Sequence, residues 1–372
     1  MLTLARKNLF KEKARLAISI GGVAFAVTLI VLLRGLYLAY ETKVGDYYNS
    51  MDVNAWVLQQ GSADLLFSYS VLPEQLGDHL KDIYGVRDAI PYTARQVGFK
   101  IGDRDVVLYI VGFNPRRGDG PGPGPVAMAA GTSDITNREI IVDRVFAKKY
   151  GVGLGDVLDI NDQKLEIAGI SAGGDMVVFQ YGFVTRWRAR KLLETQSIVT
   201  GFLLTYDKGA APGFIKDQVE SMEVTATVKS LSQMIKANRR VVNEGFLPVL
   251  GVLLVIGFFI GVAVIGLTIY SAVLEHRREY GVLKAVGART RQMLVVVAVQ
   301  AIFSALAGYA VGVGVSMLAA MGAEEWVPQF ITNITARDLA LVGVAALLMG
   351  LIAAFVPLRK IAQVDPAVVF RA

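Results

Sequence analysis

The residues best suited to specific chemistry lie in one short charged stretch, Glu275-His276-Arg277-Arg278-Glu279-Tyr280-Gly281-Val282-Leu283-Lys284-Ala285-Val286-Gly287-Ala288-Arg289. Their types suit docking rather than bond breaking. Val282, Leu283 and Val286 can line one side of a short helix, with Glu279 at its start and Gly287 just past its end, as helix capping favours. Such a helix can lie along a membrane surface and offer its exposed residues to a partner. The plainer reading is a charged turn whose arginines hold lipid phosphates.

Catalytic chemistry is sparse elsewhere. No Gly-x-x-x-x-Gly-Lys-Ser/Thr occurs, so the loop that wraps nucleotide phosphates is missing. There is no cysteine, which excludes disulfides and thiolate metal sites. His79 and His276 are the two histidines and lie far apart, which argues against a histidine metal centre or triad. Asp103 and Asp105 fall at turns, where solvation is the ordinary role of a carboxylate. Nothing combines nucleophile, base and oxyanion donors. The expectation is a non-catalytic chain that binds no metal or cofactor of its own.

The elements that hold the charged stretch are four long apolar runs. These are Ala17 to Ala39, then roughly Leu247 to Leu274, Met293 to Ala320 and Leu339 to Val356. Each is near or above the roughly 18–20 residues that cross about 30 Å of hydrocarbon. A soluble core helix rarely stays apolar on every face for that long. Hydrophobic residues make up 53% of the chain and charged residues 19%, with a mean hydropathy of +0.47. The sequence therefore reads as an α-helical membrane protein with four transmembrane helices (1+3) and a mixed α/β extracytoplasmic domain. The expected segments are a first span at 17–40, the domain at 41–245, and a second span at 246–274. A loop at 275–292, a third span at 293–320, an outer loop at 321–338, a fourth span at 339–357 and a tail at 358–372 complete the chain.

Charge placement gives the direction. Residues 41–245 hold 23 Lys/Arg against 25 Asp/Glu, and the remaining segments hold 15 against 7. The net +6 thus belongs to membrane flanks, and nucleic-acid binding loses its support. Arg6, Lys7, Lys11, Lys13 and Arg15 precede the first run; Arg277, Arg278, Lys284, Arg289 and Arg291 follow the second; Arg359, Lys360 and Arg371 follow the fourth. The loop after the third run has Glu324, Glu325 and Asp338 against Arg337. The positive-inside rule puts both termini and the 275–292 loop in the cytoplasm and the large domain outside. A cleaved signal peptide is the rival for the first run. Its apolar stretch exceeds the 7–15 residues of a signal core, and no small-x-small cleavage site follows, which favours an anchor.

The outer domain reads as strands at Val53–Leu58, Gln96–Ile101, Val106–Phe113, Glu139–Val142, Val157–Ile160, Lys164–Ile170, Phe202–Tyr206 and Val224–Val228. Helices are expected at Pro73–Tyr84, Arg144–Tyr150, Thr185–Glu194 and Pro212–Met222. A further helix at Ser230–Asn243 would feed the second span. Asn161-Asp162-Gln163 reads as a hairpin turn. Gly118 to Pro125 reads as a surface loop, because its alternating Gly and Pro suit neither helix nor central strand. Two subdomains are expected, near 50–115 plus 200–230 and near 130–200.

Arg34 is the main embedded charge, near the outer end of the first run. Two readings stand: snorkelling to outer headgroups, or pairing at a dimer seam or substrate groove. Gly257-x-x-x-Gly261 and Gly308-x-x-x-Gly312 permit close helix packing.

The 275–289 stretch resembles the coupling region of the MacB/FtsX-like permeases of ABC transporters, which reads E-R-x-x-E-I-G-x-x-K-A-x-G-A. Glu275, Glu279, Gly281, Lys284, Ala285, Gly287 and Ala288 match. His276 stands where that pattern has Arg, with Arg277 and Arg278 following at once, and Tyr280 replaces Ile. Pro357-Leu358-Arg359-Lys360-Ile361-Ala362-Gln363-Val364-Asp365-Pro366 resembles the family's closing P-x-R-x-x-A-x-x-x-P. Leu4 to Phe10 is similar to its amphipathic first helix, placed here over residues 1–16. Gly151-Val152-Gly153-Leu154-Gly155-Asp156 is similar to a turn of its outer lobe.

The resemblance implies a dimeric permease of the bacterial inner membrane that binds two cytoplasmic ABC ATPase subunits. ATP and Mg would be bound by those partners, and their closure would move the outer domains (mechanotransmission). The remaining implied partners are a second permease copy or homologue, an extracytoplasmic adaptor or substrate-binding protein, and membrane lipids. The implied role is export, or lipid, lipoprotein or peptide handling. The alternative is a transmembrane regulator that activates an extracytoplasmic cell-wall hydrolase without moving cargo. An enzyme with an outer active site is a distant third.

Overall fold

The computed structural model describes residues 13–62, 68–115, 122–173, 180–245, 247–276, 279, 281, 282, 286, 290–326 and 332–362. In chain order the elements are α1 (Lys13–Ser50), β1 (Ala55–Gln59), β2 (Leu72–Pro73), α2 (Leu76–Lys81), β3 (Val86–Ile101), β4 (Arg104–Phe113) and β5 (Ala127–Gly131). Then come β6 (Glu139–Asp143), α3 (Arg144–Tyr150), β7 (Val157–Ile160), β8 (Gln163–Ala172), β9 (Tyr181–Thr185), α4 (Arg186–Leu192), β10 (Ile198–Val199) and β11 (Gly201–Tyr206). The chain continues with α5 (Pro212–Glu220), β12 (Ala226–Ser230), α6 (Leu231–Gly245), α7 (Leu247–Glu275), α8 (Thr290–Trp326) and α9 (Ala336–Ala362). Two compact units result. One takes residues 1–38, 246–326 and 332–372, and the other takes 39–245 and 327–331.

In the helical unit, α1, α7, α8 and α9 are each long and apolar enough to cross a membrane. Their apolar residues are not confined to one stripe. Val23, Val27, Ile265, Val297, Ala301, Ala346 and Met349 form a buried core between the helices. Phe25, Phe259, Leu318 and Phe355 point outward and stay exposed. An apolar exterior of that extent is at home in lipid or against another apolar surface.

The mixed unit is built on a sheet of order β12-β1-β11-β3-β4-β9-β6-β8-β5, with β7 paired to β8. Only β4–β9 and β6–β8 are parallel among the described strands. The long strand β3 changes partner midway: Val86 to Tyr92 pair with β11, and Thr93 to Ile101 pair with β4. Local chemistry explains several boundaries. Asn161 and Asp162 have φ of 52° and 60°, so the β7–β8 turn takes two left-handed residues, as a two-residue hairpin requires. Asp143 caps α3, accepting from Val145 N at 2.6 Å and Phe146 N at 3.4 Å, and Gly151 ends it at φ 66°. Thr185 caps α4 by accepting from Arg188 N at 3.2 Å.

Three apolar clusters hold this unit. Leu76, Leu80, Phe202, Ile215 and Val219 pack beneath α2 and α5. Val97, Phe146, Leu158, Leu165, Ala189 and Leu192 pack beneath α3 and α4. The third is aromatic and takes in the last turns of α1: Tyr47, Tyr48, Trp56, Tyr92, Tyr109, Tyr181 and Phe183. Trp56 and Tyr92 meet edge to face at 4.9 Å, and Tyr47 lies 4.5 Å from Tyr181, spacings at which aromatic pairs attract.

Most expected strands and helices are present within a few residues. The helix expected at Pro73–Tyr84 is shorter, Leu76–Lys81, because Pro73 instead pairs with Ile198 in the small β2–β10 sheet. The loop expected at Gly118–Pro125 falls partly outside the described residues. Strands β5 and β9 and the first half of β3 are additions to the expected set.

Candidate functional site

The charged stretch begins where α7 ends. There Arg15 Nη2 donates to Glu275 Oε2 at 2.5 Å, tying the start of α1 to the end of α7. One residue on, His276 Nδ1 lies 3.2 Å from Glu279 Oε1, an i,i+3 pairing. Val286 N donates to Val282 O at 3.0 Å, the i→i−4 bond of a helical turn. Gly281 is buried, whereas Val282 and Val286 are exposed, Val286 by 83%. An apolar side chain so exposed, one turn from another and bracketed by charges, is an apolar spot available to a partner. Arg277, Arg278, Lys284, Ala285, Gly287 and Ala288 lie outside the described residues.

A second polar contact lies near the middle of α1. Arg34 Nε donates to Asp338 Oδ1 at 2.9 Å, linking α1 to the first turn of α9. Thr335 donates from Oγ1 to Asp338 Oδ2 at 2.5 Å and accepts from Asp338 N at 3.2 Å, a reciprocal helix cap. Beside it, Asn333 N donates to Gly35 O at 3.0 Å, and Tyr309 OH donates to Leu339 O at 3.0 Å. Arg34 is therefore engaged within its own chain. Its partner Asp338 lies in the stretch expected as an outer loop, here the first turn of α9. The available signal was the Thr-x-x-Asp spacing of Thr335 and Asp338, which marks a helix start.

The small residues settle how α1 is held. A Cβ at Gly308 would meet Val23 Cβ at 2.5 Å, and one at Gly312 would meet Val27 Cβ at 2.7 Å and Ala24 O at 2.8 Å. A Cβ at Gly261 would meet Met349 Sδ at 2.7 Å, whereas one at Gly257 would meet Leu29 and Ile30 at the ordinary distances of 3.6 and 3.9 Å. Thr28 Oγ1 also donates to Gly312 O at 3.0 Å. The part of α1 between Gly22 and Ile30 is thus packed against α7 and α8, with an ion pair on either side of it, at Arg15 and at Arg34. Neither ion pair bears the marks of a catalytic centre; both fix helices relative to one another.

The sequence model of the MacB-like periplasmic core domain matches residues 16–222, and that of the FtsX-like permease C-terminal domain matches residues 251–366. A protein of Mycobacterium tuberculosis described as an uncharacterized ABC transporter permease is 25% identical over 374 residues, covering 100% of this chain and 99% of the relative. One of Mycobacterium bovis with the same description is 26% identical over 376 residues, with the same two coverages. A macrolide export ATP-binding/permease protein MacB 1 of Aeromonas hydrophila is 33% identical over 106 residues, 28% of this chain and 16% of that protein. The crystal structure of the periplasmic region of MacB from Actinobacillus actinomycetemcomitans matches with a TM-score of 0.38 and 10% identity, over 52% of this chain and 94% of that one.

Proposed function

Because this chain belongs to the MacB/FtsX-like permeases of ABC transporters, we propose that it is the membrane subunit of a complex driven in trans by a separate ATPase. In this reading α1 crosses the inner membrane before the mixed unit and α7, α8 and α9 cross after it. Both termini and residues 275–289 face the cytoplasm, and the mixed unit faces outward. The permease works as a dimer, with a second copy or a homologue.

The observation that carries the reading is the turn Val282–Val286, which displays apolar side chains beyond the Arg15–Glu275 anchor. A cytoplasmic ATPase that grips this turn pulls on the end of α7 and, through Arg15, on the start of α1. Helix α1 is one unbroken helix from Lys13 to Ser50, and its last turns carry Tyr47 and Tyr48 of the aromatic core. A displacement of the start of α1 therefore passes to the mixed unit through the chain itself. The chain supplies no phosphate-binding loop, so ATP and Mg stay with the partner. The output is export, or extraction of a lipid, lipoprotein or peptide on the outer side.

The test is affinity purification of the tagged full chain from its own membranes in mild detergent, with the bound proteins identified by mass spectrometry. An ABC ATPase recovered with the native chain and lost with Glu279→Ala or Gly287→Val supports the reading. Recovery undiminished by both substitutions removes the 275–289 interface.

A further inference from the structure

Helix α4 carries Arg186, Arg188, Arg190 and Lys191 and no carboxylate. That local excess stands out, since residues 41–245 hold 23 Lys/Arg against 25 Asp/Glu. Two of the four cations are neutralised nearby. Arg186 pairs with Glu74, and Arg190 Nη2 lies 3.1 Å from Oε2 of the same carboxylate. The other two turn to neutral partners. Arg188 donates from Nε to Asn137 O and from Nη1 to Gln163 Oε1. Around the Trp187 ring, Lys191 Nζ stands 4.2 Å from the centroid and Arg188 Cζ 5.3 Å from it, cation–π spacings. Arg138 is exposed and follows Asn137 in the chain, so the bond to Asn137 O brings it close to Arg188. Its neighbour Glu139 is turned away, accepting from Thr136 N at 2.6 Å. Arg138, Arg188 and Lys191 form no ion pair among the described residues.

Three cations gathered without a counter-charge repel one another, and an incoming carboxylate relieves that repulsion. Partial burial, and after it the charge of Arg138, lower the pKa of Arg188 from its ordinary value. The two bonds of Arg188 hold its guanidinium in place, so little ordering remains to be done when an anion arrives. A guanidinium has five N–H donors, and those not spent on Asn137 and Gln163 remain for a carboxylate. Trp187 is 49% exposed, and Trp and Arg are the side chains on which protein interfaces concentrate their binding energy. A face that enters lipid needs several exposed apolar side chains together. Among the described residues of α4, Trp187 is the one large apolar side chain that is exposed, which favours a protein over a membrane.

We propose that Arg138, Trp187, Arg188 and Lys191 form a docking surface for an acidic segment of a partner protein. Carboxylates of that segment pair with the three cations, and an apolar side chain among them packs against the exposed part of Trp187. The assignment does not depend on coupling to an ATPase.

The experiment is fluorescence anisotropy of labelled peptides titrated with the full chain in nanodiscs of zwitterionic lipid. The probes are Glu-Leu-Glu-Glu-Leu-Glu and its neutral counterpart Gln-Leu-Gln-Gln-Leu-Gln. The acidic probe should bind saturably with a Kd below about 1 mM, at least about ten-fold tighter than the neutral one, and weaken as salt rises. Arg138→Gln and Lys191→Gln remove side chains that hold no hydrogen bond among the described residues, so both variants keep the fold. Each should weaken binding about three-fold, and the triple variant with Arg188→Gln at least about ten-fold. Trp187→Ala should weaken it about five-fold. Arg104→Gln, at the exposed β3–β4 hairpin, should leave it unchanged. Equal binding of the two probes, equal weakening by Arg104→Gln, or no saturable binding up to about 1 mM overturns the proposal. Nanodiscs that bind phosphatidylglycerol vesicles but not the acidic probe, and lose the vesicles in the triple variant, assign the surface to lipid and overturn it as well.

Discussion

Arg34 and Asp338 are 304 residues apart in sequence, yet the guanidinium Nε donates to the carboxylate at 2.9 Å between α1 and α9. The Asp338 side chain is largely buried beside Arg34, so removing one partner leaves the other charge without its mate, which costs more than the pair itself contributes. The pair therefore serves as a fixed link more than as a source of net stability.

Replacing either partner alone should cost more than replacing both. We expect Arg34→Ala and Asp338→Ala each to destabilise the chain by about 1–3 kcal/mol, with the double variant no worse than either single one. Melting of the four proteins in the same detergent checks this. Additive losses would mean that the two side chains act independently.

The clasp of α8 on α1 predicts a position-specific effect of adding bulk. Gly308→Val and Gly312→Val should each destabilise by about 1–3 kcal/mol, because both sites already touch Val23, Val27 or backbone. Gly314 has nothing within 4 Å of the same added atom, so Gly314→Val should be tolerated. Fraction folded after heating, followed by size-exclusion chromatography, distinguishes the three.

Burial pushes the phenols of Tyr92 and Tyr181 well above their ordinary value, with repulsion from neighbouring tyrosinates adding to it. In the unfolded chain a tyrosine ionises near pH 10. A folded value above the unfolded one means that stability is full below about pH 10 and falls as pH rises beyond it. These groups predict no loss of the mixed unit between about pH 6 and 9 and a steep loss above about pH 10. Tyr92→Phe should make the alkaline loss shallower, read by near-ultraviolet circular dichroism.

Local signals in the sequence carry much of this fold. The apolar runs are visible because lipid-facing and core-facing residues are alike, so no face of α7 needs polar side chains. The β3–β4 and β7–β8 hairpins are visible because their turns close within two residues, Gly102-Asp103 and Asn161-Asp162. What stayed hidden is long-range. Strand β9 pairs in parallel with β4 across some seventy residues, and nothing local in Tyr181–Thr185 specifies that partner. Strand β5 is Ala-Met-Ala-Ala-Gly, without the β-branched residues that mark strands. The first half of β3 carries Arg87, Asp88 and Pro91, which interrupt alternation. Glu275 was legible as part of a docking segment, but its anchor Arg15 is 260 residues away.

The absence of cysteine makes the most direct test of the coupling claim available. A single Val286→Cys places one thiol on the exposed turn, and Val107→Cys places one on the half-exposed face of β4 in the mixed unit. Each full-length variant is cross-linked in native membranes with a short thiol-to-amine reagent, and the product is identified by mass spectrometry. The account predicts an ABC ATPase joined to the Val286→Cys chain and none joined to the Val107→Cys chain. An ATPase joined equally to both, or an intact complex with no cross-link at position 286, would contradict it.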